Sequence, residues 1–340
     1  MRILILGGTL FLSRETARQA VARGHDVTCL ARGESGPPVT GASFVAADRS
    51  SGPAAYDGLD GGWDAVIDVS RRPQEVKEAL QRLAGRAGHW SFVSTASVYA
   101  SNATPGDDES AALVQPLADT GGEFPVPADD EYGEGKAACE ALVRDLGPDS
   151  VLVTRPGLIG GPEDPSDRFG YWVARLAQER SPVLVPGIAG AVTQTIDVRD
   201  LAAWLVSGAE AGLSGTFNTV GPQIPFGALL AVCAAAVGFH GEYRTADPDW
   251  LRGQGVAYWA GPESLPLWLP EGYDGFSTRS AQAALAAGLE LRPVEHTVRD
   301  TLEDEESRGL HRVRRSGLSA ARESQLLAAL GGLPAAVPFL

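Results

Sequence analysis

Short apolar runs alternate with stretches of helical periodicity through the first half of the chain. Residues 2–6, 27–31, 43–47, 65–69, 90–94 and 151–155 each read as a short buried strand. Residues 13–22, 73–84 and 132–146 read as helices, the first of them stopped by Gly24. Strands separated by helices must pair in parallel, because a crossover is needed to return to the same end of the sheet. The predicted fold is therefore α/β, a doubly wound, Rossmann-like parallel sheet with ligands at the carboxyl ends of its strands.

After Arg155 the pattern loosens. Residues 156–165, 262–270 and 271–276 are rich in Gly, Pro and Trp and predict a smaller, loop-rich C-terminal substrate lobe. The segment 196–205, IDVRDLAAWL, reads as a strand end running into a helix, and 215–220, GTFNTV, as another strand. This assigns 1–155 to a dinucleotide-binding domain, to which 190–222 returns. Residues 156–189 and 223–330 form the substrate lobe, and 331–340 a tail. Asp197 and Asp200 are expected to organise a loop and cap the next helix. The acidic run 303–306 and the basic run 312–315 read as solvated helix faces.

Charge narrows the partners. Asp and Glu number 43 against 28 Lys and Arg, a net charge of −15. Such a surface repels phosphate backbones and anionic membranes, so a small-molecule substrate is expected rather than nucleic acid or a bilayer. The 340 residues, 44% of them hydrophobic, are enough for a large core. Cys29, Cys139 and Cys233 have spacings that fit neither a zinc site nor a disulfide framework, and read as reduced thiols of a cytoplasmic protein. The histidines form no metal-ligand pair. The opening apolar run is too short for a signal peptide, and 228–237 is too short to span a bilayer.

The chain opens MRILILGGTLFLS, an apolar strand that ends in Gly7-Gly8. Glycines belong at such a turn when a pyrophosphate must reach the backbone, and helix amides from about Leu12 onward would point back at the anion. Leu10 and Ser13 stand where the dinucleotide fingerprint has its second and third glycines. Ser13 allows close helix–strand packing, and its hydroxyl could donate to phosphate. Taken alone, the motif fits a cofactor site and a plain strand–turn–helix equally well. The second strand ends Cys29-Leu30-Ala31-Arg32-Gly33, with no carboxylate for the ribose hydroxyls. Arg32 is either the partner of a 2′-phosphate, which favours NADP over NAD, or a surface loop residue. Asp48, past the third strand, could accept from the adenine amino group.

Tyr132 and Lys136 stand four apart in YGEGK and share one helix face. An ammonium beside a phenol favours the phenolate, so the tyrosine can act as acid or base. Thr95 closes the fifth strand in FVSTASVY, at the sheet end that would face a cofactor. Its hydroxyl could hold the substrate oxygen beside Tyr132. With this order of glycine turn, hydroxyl and Tyr-Lys pair go AADRS (46–50), RPGLIGGP (155–162), TIDVRDLA (195–202) and GTFNTVGP (215–222). In these motifs, which run over most of the chain, the sequence resembles the extended short-chain dehydrogenase/reductases, also called the NAD-dependent epimerase/dehydratase family. It is most similar to a subgroup that begins GGTxFLG and tolerates a non-glycine where Leu10 stands.

The resemblance implies roles. Tyr132 would be the general acid/base, Lys136 would bind the nicotinamide ribose and tune Tyr132, and Thr95 would supply the catalytic hydroxyl. Gly7, Thr9, Phe11 and Leu12 would lie along the pyrophosphate and Asp48 near the adenine, while Ser70 and Pro156 would touch cofactor. A homodimer through the Tyr132 helix and its neighbour is implied as well. Ala96-Ser97 replace the Asp-Glu pair of the family's nucleotide-sugar dehydratases, which argues against water elimination. Leu158 stands where the epimerases carry an Asn that holds the sugar phosphate. In PSDRFGYW (165–172) one cation sits beside three rings. That stretch reads as a holder for an acidic, flat substrate or as a capped helix with a packed aromatic face. Leu158, Arg168, Tyr171 and Trp172 are the candidate substrate contacts. Trp250, Trp259 and Trp268 could line the substrate pocket but read first as packing, and Arg71 and Arg72 could reach an anionic substrate but read first as surface residues. The expected function is an NAD(P)-dependent oxidoreductase acting on a small-molecule carbonyl or alcohol. The alternatives are a sugar or nucleotide-sugar epimerase, and a non-catalytic NAD(P)-binding regulatory protein.

Overall fold

The computed structural model describes residues 1–331. The first half runs β1 (Arg2–Leu6), α1 (Phe11–Ala22), β2 (Asp26–Ala31), β3 (Ser43–Ala46), β4 (Ala65–Asp68), α2 (Pro73–Leu83), β5 (Trp90–Val93), α3 (Tyr132–Arg144) and β6 (Val151–Thr154). It continues with β7 (Leu158–Gly160), α4 (Gly170–Ala177), β8 (Val183–Pro186), β9 (Val192–Asp197), α5 (Val198–Ala211), β10 (Gly215–Phe217), β11 (Gln223–Pro225), α6 (Phe226–Val237) and β12 (Tyr243–Ala246). Seven strands form one sheet in the order β10-β6-β5-β4-β1-β2-β3, every neighbouring pair parallel.

The apolar runs are continuous because both faces of the sheet are covered. Side chains alternate along β1. Ile3 and Ile5 pack with Leu12, Ala17 and Ala20 of α1 and with Leu201 and Leu205 of α5. Leu4 and Leu6 pack with Val76 and Leu83 of α2 and with Cys139 and Val143 of α3. All four strand residues are fully buried, each worth about 1.5–3 kcal/mol of transfer free energy. All three cysteines are free and buried, and burial pushes the Cys29 thiol up to about 11.

The segment 190–222 divides. Helix α5 lies against the sheet core and β10 extends the sheet beside β6, but β9 leaves it to pair with β7 and β11 in a separate three-stranded sheet. The C-terminal lobe has its own core of Trp172, Leu176, Leu184, Phe226, Leu230 and Trp268. It is more helical than its Gly and Pro content suggests, because α4, α6 and the helices Val294–Arg308 and Ala320–Leu330 build it. Helix α6, FGALLAVCAAAV, is apolar nearly all round, so it offers no periodic stripe. Of the tail expected over 331–340, residues 332–340 lie outside the described residues. No helix of the described residues is long and apolar enough to cross a membrane.

The charged runs near the end are not wholly solvated. Glu303 and Glu306 are exposed, but Glu305 is buried and accepts from Arg312 at 2.9 Å and Arg314 at 2.6 Å. Arg312 also bonds Asp167, whose carboxylate accepts the Arg315 amide at 2.7 Å. This clamp fixes the loop before α4, a long-range contact that local charge patterning cannot reveal.

Candidate active site

A crevice of about 790 Å³ opens at the carboxyl ends of the central strands and runs from the Gly7 turn to Tyr132. Gly7 and Gly8 have φ of 142° and 108°, a region L side chains avoid. A Cβ on Gly8 would stand 2.4 Å from Cys29 Sγ on β2. Gly8→Ala is therefore expected to lower stability by about 1–3 kcal/mol from backbone strain alone, and by more from the clash, as read from the urea midpoint. An unchanged midpoint would contradict this turn. Leu10 replaces a fingerprint glycine without strain because its φ of −139° is extended backbone. Phe11 and Leu12 open α1 and line the crevice; amides in that first turn have no intrahelical acceptor and suit an anion. Ser13 also lines the crevice. It is buried, and Oγ donates to the Leu10 carbonyl at 2.9 Å.

At one end the crevice is lined by Arg32, Asp48 and Arg72, while Arg71, also on its wall, has its carbonyl beside Gly135 of α3. Asp48 accepts from the Ser50 amide at 2.9 Å and its hydroxyl at 2.8 Å, and these bonds, with the charges of Arg32 and Arg72, hold its carboxyl below the usual range. Arg32 is 3.4 Å from Glu34, and Arg72 is 3.2 Å from Glu75. Arg71 is exposed and Arg72 half-buried, and both line the crevice.

At the other end stand Thr95, Ser97, Tyr132 and Lys136, with Ser70 and Pro156 beside them. Thr95 Oγ1 accepts the Ser97 amide at 3.1 Å and so starts a short helical turn. Gly133 lets α3 approach that turn, since a Cβ there would lie 2.4 Å from the Ser97 carbonyl oxygen. Lys136 is buried, and its Nζ donates to the Ser70 carbonyl at 2.7 Å and the Val93 carbonyl at 2.6 Å. Its ammonium is thus fixed by the ends of β4 and β5 rather than bonded to the phenol. Tyr132 is half-buried at the first residue of α3 and faces the crevice.

Tyr132, Lys136 and Glu140 recur every four residues on one stripe of α3. Glu140 is fully buried and accepts from Ser94 Oγ, Arg155 Nε at 2.9 Å, Arg155 Nη2 at 2.8 Å and Arg144 Nη2 at 2.7 Å. Arg155 also donates to the Tyr99 hydroxyl at 3.1 Å, which donates to Asn218 at 2.6 Å. This network ties α3, β6 and β10 beneath the residue next to Thr95.

The crevice wall beside Arg168 differs from the sequence reading. Arg168 lines the crevice, but Tyr171 and Trp172 do not. Both lie in the first turn of α4 with their rings in the lobe core: Trp172 Nε1 donates to the Pro266 carbonyl at 2.8 Å, and its ring meets Phe226 edge-on at 5.1 Å. Leu158 is also core, because alternation along β7 turns it away while Gly157 and Ile159 face the crevice. Trp259 and Phe276 supply the rings instead, whereas Trp268 packs in the core as expected. Asp197 caps α5 by accepting the Arg199 amide at 2.8 Å, while Asp200 accepts from Arg292.

No family model matches the chain. Among curated proteins it is similar to the chloroplast stem-loop binding protein of 41 kDa b of Arabidopsis thaliana, 29% identical over 257 residues, 70% of this chain. The match spans 64% of that protein, less than two thirds of its length. Among solved structures it resembles the UDP-glucose 4-epimerase of Thermotoga maritima with UDP-glucose, at 16% identity and a TM-score of 0.65 over 91% of this chain and 99% of the other. It also resembles the UDP-glucuronic acid 4-epimerase of Bacillus cereus in complex with NAD, at 13% identity and a TM-score of 0.64 over 90% and 99%. The enzyme WbmH of Bordetella bronchiseptica in complex with NAD+ matches at 16% identity and a TM-score of 0.63 over 90% and 98%. The chain therefore has the Rossmann-like α/β fold of these structures.

Proposed function

We propose that the chain is an NAD(P)-dependent oxidoreductase acting on a small-molecule carbonyl or alcohol. One observation carries this reading: a single crevice joins the Gly7 turn to Thr95, Tyr132 and Lys136. The residues fit a dinucleotide, because the Gly7 turn brings backbone to the crevice wall beside the free amides that open α1. Gly7, Thr9, Phe11 and Leu12 would hold its pyrophosphate, Arg32 and Asp48 its adenosine half, and Ser70, Lys136 and Pro156 its other half. When bound, the nicotinamide supplies or accepts a hydride.

Tyr132 delivers the proton to the substrate oxygen, or removes it in the reverse direction. Thr95 Oγ1 holds that oxygen. Lys136 keeps a fixed positive charge under the site, because two carbonyls pin its ammonium. Arg32 and Arg72 flank Asp48 and favour a cofactor with a 2′-phosphate. Arg32→Ala is expected to weaken NADPH binding about tenfold or more and to leave NADH nearly unchanged, as read by calorimetry. Equal losses for the two would assign Arg32 no part in phosphate recognition.

Incubation with NADPH and a panel of ketones and sugars tests the reaction. Net loss of NADPH with product formation supports the reductase. Inversion of a substrate centre with no net change in NADPH moves the same groups to epimerase chemistry. The net charge of −15 disfavours stem-loop binding, the property for which the curated relative is named.

A further inference from the structure

Arg168 is half-buried and differs from three other arginines of low exposure. Arg49, Arg155 and Arg175 each hold a carboxylate at 2.7–2.8 Å. Among the described residues Arg168 has no carboxylate within salt-bridge distance; its side chain donates from Nε to Ser166 Oγ at 3.1 Å. The nearby acid, Asp164, already accepts from the Ser166 amide at 2.8 Å and hydroxyl at 2.9 Å. Burial works against the charge on Arg168, and the Asp164 carboxylate favours it. A desolvated guanidinium without a counter-ion is costly unless an anion arrives.

The surroundings hold this cation in place. Its Cζ lies 5.0 Å over the Trp259 ring, and Trp259 meets Phe276 edge-on at 5.2 Å. Asp167 and Trp259 have φ of 61° and 64°, strained values for residues with side chains. The strain is sustained on one side by the clamp of Arg312 and the Arg315 amide on Asp167. Arg168, Trp259, Phe276 and Tyr132 all line the same crevice.

We propose that Arg168, Trp259 and Phe276 form a subsite for a substrate that carries a carboxylate or phosphate next to a flat apolar face. The subsite rests on the reading of Tyr132 as the reacting end of the crevice. The terminal nitrogens of Arg168 present a planar fork to two anion oxygens, and the Trp259 and Phe276 rings take the flat face.

The test titrates the full chain with benzoate, phenyl phosphate and benzyl alcohol, with and without NADP+, following tryptophan fluorescence and calorimetry. At least one of the two anions is expected to bind about tenfold or more tightly than the alcohol, and which one leads separates carboxylate from phosphate. Arg168→Gln is expected to erase that preference while NADPH binding and the thermal midpoint stay unchanged; Trp259→Leu is expected to weaken all three ligands. No preference in the wild type, or an equal preference in Arg168→Gln, overturns the subsite. Failure of NADP+ to bind, with anion preference intact, overturns the cofactor reading and leaves the subsite standing.

Discussion

Tyr132→Phe is expected to lower turnover of any substrate found by about 10²–10⁴-fold while the affinity for NADPH stays within a factor of two or so. The phenol is the group in the inner crevice best placed to move a proton, since Lys136 is held by two carbonyls and Thr95 and Ser97 carry only weakly acidic hydroxyls. Phenylalanine keeps the ring and its packing and removes only the hydroxyl. A loss confined to kcat therefore marks a proton transfer in the transition state. If Tyr132→Phe turns over as the wild type does, the proton comes from elsewhere. If it loses cofactor as well, the tyrosine is a binding residue. Lys136→Met is not an equivalent test, because it also strips two carbonyls of their donor.

Glu140→Ala is expected to cost about 3–5 kcal/mol of stability, the effect of leaving a buried guanidinium without its partner. Arg155 is buried, and two of its nitrogens end on Glu140. Burial pushes the Glu140 carboxyl up, but the bonds and charge of Arg155, with Ser94 and Arg144, outweigh it and hold it below its ordinary 4.5. A group depressed in the folded state stabilises fully above its unfolded value and loses that contribution as pH falls through its folded value. The wild type should thus lose stability with acid below about pH 4.5, and Glu140→Gln should lose less over the same range. Urea unfolding at pH 7 and pH 4 measures both effects. Equal stability of Glu140→Ala and wild type at pH 7 would show that Arg155 does not depend on this carboxylate.

The central sheet was legible because its signal is local. Ile3, Leu4, Ile5 and Leu6 are all buried, so β1 reads as an unbroken apolar run, and the helices between strands carry clear stripes. Thr95, Tyr132 and Lys136 were legible through spacing and order, and they share the crevice. What escaped depends on contacts distant in sequence. Trp259 reaches Arg168 from 91 positions away, and nothing local separates it from Trp268, which packs in the core. Tyr171 and Trp172 follow Arg168 closely, yet the first turn of α4 carries their rings into the lobe. Leu10 fits the turn through a backbone angle that its residue type does not reveal. Glu305 looked like one more surface acid until the clamp on Asp167 was visible.

The account depends on a dinucleotide entering the crevice between the Gly7 turn and Tyr132. The most direct measurement is titration of the purified chain with NADPH, exciting tryptophan and recording energy transfer to the reduced nicotinamide. One saturable site per chain, displaced by NADP+ and more weakly by NAD+, is the expected result. No saturation up to millimolar NADPH and NADH in a folded protein would contradict it.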